Sequence, residues 1–369
     1  MQPPVFDLDP AELSADPYPL YARMHAQSPI CRVPQLGATL LTRRDDIYVC
    51  EKNVAVFASS QPQGLMTRLM GENMMRKDGE PHLAERRQLF PAVSPRTVET
   101  HWRRAFSRFA SQILDDLEPK GSCDLVADYA MRLSGEALKA VTGLVKTGWR
   151  DIDAWSQAMI DGISNYLGDP QVEARCHWAT GEIDKAISDR LAERDADDDF
   201  GMIAVLRRAG MPQANIRHNV KLAISGGQNE PRDAIAGLIH ALLAHPDQYA
   251  LVAGGMASFR EAFEEYGRWI SPIGMSPRRI ARKADHAGMT FEVESRVFLM
   301  FGAANRDPAA FERAEKFEVT RDNSRSVTFG SGPHFCAGAH VARMLVAEIA
   351  VPEAFRRLRQ MRLAGPVVY

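Results

Sequence analysis

The stretch Phe329-Gly330-Ser331-Gly332-Pro333-His334-Phe335-Cys336-Ala337-Gly338 constrains this chain more than any other. One cysteine stands among three glycines, directly before a helix-like run from Ala339 to Val351. A thiol there faces backbone N–H groups and the positive end of a helix dipole, and both favour the thiolate. Glycines permit φ > 0 and a close backbone approach to the sulfur or to something bound to it. A fixed thiolate with no cysteine nearby suits a soft-metal ligand. The competing reading is a glycine-rich turn around an inert, buried cysteine.

Composition narrows the classes. The 369 residues carry a net charge of −2, which argues against general nucleic-acid binding. Five cysteines, odd in number and widely spaced, make no disulfide framework. Cys31, Cys50, Cys123 and Cys176 read as small buried hydrophobes. The N-terminus has no basic start and no apolar run, so no signal peptide is expected. No stretch approaches the roughly 20 apolar residues of a membrane span. A soluble, cytoplasmic protein with no membrane contact is the expectation. A single thiolate cannot build a zinc or iron–sulfur site, whereas a haem needs only one protein ligand.

The rest of the chain reads as mostly helical. A first helix is expected over 11–27, then short strands at 30–33 and 38–42, and a helix over 45–52. Residues 57 to 80 lack periodicity and carry Met66, Met70, Met74 and Met75, which adapt to irregular apolar shapes and read as a loop packed on the core. His82 and Arg86 stand one helical turn apart and can together hold a carboxylate pair. Ser94-Pro95 opens a helix whose stripe runs from Val98 to Leu117. Further helices are expected near 124–143, 148–166 and 171–192, with Glu193 to Asp199 a solvated turn. A long central helix over 216–245 is interrupted by Gly226-Gly227-Gln228-Asn229-Glu230-Pro231, where two glycines and a proline predict a kink. Ser258 and Glu261 form a capping box ahead of Glu265 and Arg268. Short strands are expected over 288–301, with Val297, Leu299 and Phe301 alternating.

The cysteine stretch matches F-G-x-G-x-H-x-C-x-G, and the chain thereby resembles the cytochromes P450. The resemblance runs from about residue 16 to 366, with the motifs in family order. It implies the cytochrome P450 fold, mainly α with small β sheets, as one haem domain over 1–369. Cys336 is the implied ligand of a haem b (iron protoporphyrin IX). His82, Arg86, Arg279 and His334 are the implied partners of the haem propionates, with Arg278 a near alternative to Arg279. Phe329, Gly330 and Gly338 belong to the ligand loop. Glu265 and Arg268 match the family's structural E-x-x-R pair, and Ala303 to Phe311 match its A-N-R-D-P-x-x-F segment.

Two departures stand out. The family's acid–alcohol pair is absent: Asn229 takes the acid position and Glu230 the alcohol position, beside Gly226 and Gly227. A buried glutamate combines both proton roles if its pKa is raised. The Asn229-Glu230-Pro231 arrangement resembles that of bacterial members that O-demethylate methoxylated aromatics. The family usually continues past Gly365-Pro366 into a hairpin, so that hairpin is expected to be missing from a chain ending at Tyr369. The implied activity is monooxygenation of a small organic substrate with O2 and two electrons. Those electrons come from a ferredoxin or a flavin/iron–sulfur reductase, because the chain has no such motif. Arg86, Arg87, Arg103, Arg104 and Arg343 are candidates for the docking face. A peroxide-driven peroxygenase and a non-catalytic haem-binding protein are the alternatives.

Overall fold

A proline decides where the first helix breaks. In the computed structural model, the helix expected over 11–27 is two helices, Pro10–Ala15 and Pro17–Gln27. Asp16 is extended, at φ −154° and ψ 99°, because the proline after it disfavours the helical region. Its side chain caps the second helix, accepting from the Tyr18 N–H at 3.2 Å. The structure describes Met1–Val367 apart from Asp197, Asp198 and Pro366. Part of the acidic run and the chain end at Pro366 and Tyr369 therefore lie outside the described residues.

The chain divides into two compact units, each drawn from three separate segments. The first comprises Met1–Gln61, Met75–Leu83 and Glu264–Cys336. It is built on β1 (Ile30–Val33), β2 (Ala38–Leu41), β3 (Phe57–Ala58), β4 (Ser276–Ile280), β5 (Ala284–His286), β6 (Met289–Phe291) and β7 (Arg296–Leu299). Five strands form one sheet in the order β1-β2-β7-β4-β3, with β5 and β6 a separate pair. β2 and β7 run parallel, Thr39 opposite Val297 and Leu41 opposite Leu299. Alternation along these strands feeds two cores. Leu41, Val297, Leu299 and Ile280 pack with Ile47, Cys50 and Phe301 on one face. Leu40, Phe298, Cys31 and Val33 pack with Leu20, Tyr21 and Met24 on the other. A sheet covered on both faces reads as continuous apolar runs, as Val297-Phe-Leu299 does.

The second unit comprises Pro62–Met74, Ala84–Phe263 and the stretch from Ala337 onward. It is helical, with main elements Arg103–Leu117, Met131–Thr142, Trp149–Ile163, Pro170–Ala192, Gln213–Ser225 and Asn229–Ala244. Gly162 lets Trp149–Ile163 approach its neighbour, since a Cβ there would stand 2.6 Å from the Cys176 sulfur. The methionine-rich stretch is more ordered than expected: Leu65–Met70 is a helix with Met66 and Met70 buried. Cys31, Cys50 and Cys176 are buried as predicted, whereas Cys123 is exposed and so is no core residue. No helix among the described residues is long and apolar enough to cross a membrane.

Candidate active site

In the first unit, Cys336 ends a ring of backbone. Its N–H donates to the Phe329 carbonyl at 2.9 Å, closing the loop on itself. Gly330 and Gly332 turn that ring at φ +70° and +64°, where a side chain would be strained. Gly338 has φ −85°, so its backbone makes no such demand. Cys336 is exposed and outside any disulfide, unlike the buried thiols of Cys31, Cys50 and Cys176.

Two histidines meet beside this loop. The rings of His82 and His334 lie 4.1 Å apart between centroids. His82 Nε2 is 2.9 Å from the Pro333 carbonyl, and His334 Nε2 is 3.0 Å from Asp78 Oδ1. Burial holds the His334 pKa below its ordinary value, against the pull of Asp78. The two candidate arginines differ in setting. Arg279 donates to the Ser60 carbonyl at 3.1 Å and pairs with Glu294 near the surface. Arg278 is 4% exposed and donates to Glu51 Oε1 at 3.2 Å, and its Nε finds no acceptor among the described residues.

Glu265 and Arg268 are both fully buried. All five N–H groups of Arg268 are used. Its Nε and Nη2 donate to the two Glu265 oxygens at 2.8 Å each, and further bonds reach the carbonyls of Asn305, Ala314 and Lys316 at 2.8 to 2.9 Å. Glu265 also accepts from the Glu318 N–H at 2.8 Å and faces Arg321 at 3.2 Å. The pair thus ties the helix Phe259–Ile270 to the segment 305–321.

In the second unit, the expected central helix is two, Gln213–Ser225 and Asn229–Ala244, separated by Gly226, Gly227 and Gln228. Pro231 falls in the first turn of the later helix, where its missing N–H costs little. Gly227 is sterically required: a Cβ there would stand 2.5 Å from the Ala223 carbonyl. Two buried serines, which sequence reasoning missed, serve the break. Ser156 donates to the Ile224 carbonyl at 3.0 Å and Ser134 to the Gln228 carbonyl at 2.8 Å. Replacing Ser156 with alanine should cost about 1–3 kcal/mol in urea unfolding, the usual penalty for stripping a buried carbonyl of its donor.

Glu230 follows directly. The residue keeps some exposure, but its Oε2 is buried with no partner among the described residues. Loss of hydration raises its pKa to about 7, with Asp233 adding a smaller push. Asn229 is buried, and its Nδ2 lies 3.4 Å from Gln157 Oε1. Asp233 pairs with Arg232 at 2.7 Å on the exposed side. Arg86, on the same helix as His82 (Gly79–Val93), is half-buried.

Comparison with known proteins agrees with this geometry. A family profile described as "Cytochrome P450" matches residues 256–350, which hold the E-x-x-R pair and the cysteine ring. Cytochrome P450 107B1 of Saccharopolyspora erythraea is 26% identical, over 94% of this chain and 88% of that protein. The chain has the cytochrome P450 fold, and residues 256–350 carry the match to that family's profile. The steroid C26-monooxygenase of Mycolicibacterium smegmatis is also similar, 26% identical over 93% of this chain and 86% of that protein. The crystal structure of P450BioI in complex with an acyl carrier protein ligated to hexadec-9Z-enoic acid has the same fold, with a TM-score of 0.86 at 22% identity, covering 97% of this chain and 95% of that one. The P450 fold expected from the sequence is therefore the fold found, and the protein is an oxidoreductase with that fold.

P450 enzymes bind haem b, and the residues of the first unit fit it. They offer an exposed thiol on a closed ring and, beside it, a buried guanidinium with an unmatched N–H, the donor an anionic group needs. Sequence reasoning missed Glu51, Asp78 and Ser331 around this cysteine ring. Ser331 lies inside the signature at a position the motif leaves free, and nothing in the helix Arg44–Lys52 marks Glu51 for burial.

Proposed function

We propose that this protein is a haem-thiolate monooxygenase that hydroxylates or O-demethylates a small organic substrate with O2 and two electrons. The carrying observation is the Cys336 ring, closed at 2.9 Å with its thiol exposed. When bound, haem would supply the activation of O2 and the insertion of one of its oxygen atoms into a C–H bond, the other leaving as water with the two electrons and two protons consumed. Cys336 is the sulfur ligand. His82, Arg86, Arg279 and His334 hold the haem carboxylates, and Arg278 adds its unmatched Nε. Phe329, Gly330 and Gly338 shape the ligand loop. Both units are read as one haem domain.

Glu230 supplies the protons this chemistry consumes. A carboxyl with a pKa of about 7 donates from Oε2 and is recharged at neutral pH, the condition for efficient general acid catalysis. Asn229 cannot donate an acidic proton, so its amide orients, and Gly226 and Gly227 leave the turn open. Glu230→Gln should reduce coupled product formation by up to about 100-fold. The ratio of product to reductant consumed measures this, and an unchanged ratio sinks the relay.

The raised pKa also has a stability sign. Folded Glu230 holds its proton more tightly than the unfolded chain does. Its contribution is full below about pH 4.5 and is lost as pH rises through about 7, at most about 3 kcal/mol. Urea titrations from pH 4.5 to 7.5 should show that decline in the parent, and Glu230→Gln should flatten it.

For substrate, the Asn229-Glu230-Pro231 arrangement supports a methoxyarene. Hydroxylation of its methyl carbon leaves a phenol and formaldehyde. In a spin-shift screen of methoxyaromatics, fatty acids and terpenes, methoxyaromatics should respond most and release formaldehyde on turnover; a response confined to the other classes rejects this substrate. Electrons come from a ferredoxin or flavin/iron–sulfur reductase. Of the arginines offered for docking it, Arg103 already pairs with Glu99 and Glu348. The Glu230 pKa also favours a second reading, activation of hydrogen peroxide. Turnover with peroxide but not with reductase and NAD(P)H would select it.

A further inference from the structure

We infer that Glu51 is a positioning residue for the Cys336 ring, fastening Ser331 of that ring to the buried guanidinium of Arg278. The inference rests on the reading of Cys336 as the haem ligand.

Glu51 is the penultimate residue of the helix Arg44–Lys52, where a carboxylate opposes the helix dipole. It is nevertheless 2% exposed. Its position would be unfavourable unless the charge were paired and hydrogen-bonded. Ser331 Oγ donates to Glu51 Oε2 at 2.9 Å, and Arg278 Nη2 donates to Oε1 at 3.2 Å. Arg278 is held in turn by Ser276 Oγ at 2.6 Å and the Pro277 carbonyl at 2.9 Å. Burial raises the Glu51 pKa and Arg278 opposes that shift.

The ring also packs on Glu51 through its two left-handed glycines. A Cβ at Gly330 would lie 3.4 Å from Glu51 Oε1, and one at Gly332 would lie 3.0 Å from the Glu51 carbonyl oxygen. The same residue therefore sets the hydrogen bond of Ser331 and the space on either side of it. A buried ion pair is weak support for stability, and its best-attested use is to specify one arrangement. Here the arrangement specified is a ring that ends, five residues later, at the cysteine. Holding the ring in one conformation holds the sulfur in one place, and the ligand strength of the thiolate follows from that place.

Three holoprotein variants test this. Glu51→Leu with Arg278→Met removes both charges together, so no buried charge is left alone. Ser331→Ala cuts the tie and leaves the ion pair intact. Ser331→Thr keeps the hydroxyl. The readouts are the rate at which the reduced carbon monoxide complex converts from its thiolate-type to its neutral-thiol-type spectrum, the haem reduction potential, and the melting temperature. The double variant and Ser331→Ala should convert several-fold faster than the parent and shift the potential, Ser331→Ala with little change in melting temperature. Ser331→Thr should restore the parent rate. If the double variant and Ser331→Ala both keep the parent rate and potential while Cys336→Ala loses the thiolate-type spectrum, the positioning role is rejected and the ligand reading stands. If Cys336→Ala keeps that spectrum, both fall.

Discussion

Arg268→Ala should remove about 3–5 kcal/mol of stability, the cost of breaking a buried ion pair from one side. That is a large share of the roughly 5–15 kcal/mol typical of a folded domain. The change strands the fully buried Glu265 carboxylate and takes the Arg268 donors from the carbonyls of Asn305, Ala314 and Lys316. Arg321, at 3.2 Å, compensates only in part. Lysine should rescue less than half of the loss. Its three donors cannot copy five in a planar fork. Urea unfolding of the three proteins measures this, and a loss for Arg268→Ala below about 1 kcal/mol, the scale of an exposed pair, rejects the buried-anchor account.

Cys336→Ala should have the opposite profile. Its side chain is exposed, so the polypeptide should lose within about 0.5 kcal/mol. The thiolate-type spectrum of the reduced carbon monoxide complex should vanish entirely. Measuring the spectrum alongside unfolding of the haem-free chain separates a lost ligand from a lost fold. A persistent thiolate-type spectrum would mean that another cysteine is the ligand. Cys31, Cys50 and Cys176 are poor substitutes, because burial raises each of their pKa values, to about 12 for Cys31 and about 11 for Cys176.

Much of the fold was legible in local chemistry. The β1 boundaries, the start of β2, the Ser94-Pro95 cap and the interruption at Gly226-Gly227 follow from turn residues, capping oxygens and glycine, whose effects act within a few residues. The split at Asp16–Pro17 was legible too, but the apolar spacing of Leu20, Tyr21 and Met24 masked it. The helix Leu65–Met70 had no such signal, since its methionines are buried by packing and not by period.

The site divides in the same way. Cys336, Glu265–Arg268 and Glu230 stand out in the sequence because each occupies a short motif with fixed spacing. The sequence by itself determined the resemblance to the cytochromes P450, the glycine-rich cysteine stretch and the unusual glutamate. Only the tertiary structure decided that Ser134 and Ser156 cap the broken helix, that Arg278 is the buried arginine and Arg279 the one near the surface, and that Glu51 stands against the ring. Glu51 and Ser331 are 280 residues apart. Burial and hydrogen-bond partners at that separation are set by packing, and no local pattern encodes them.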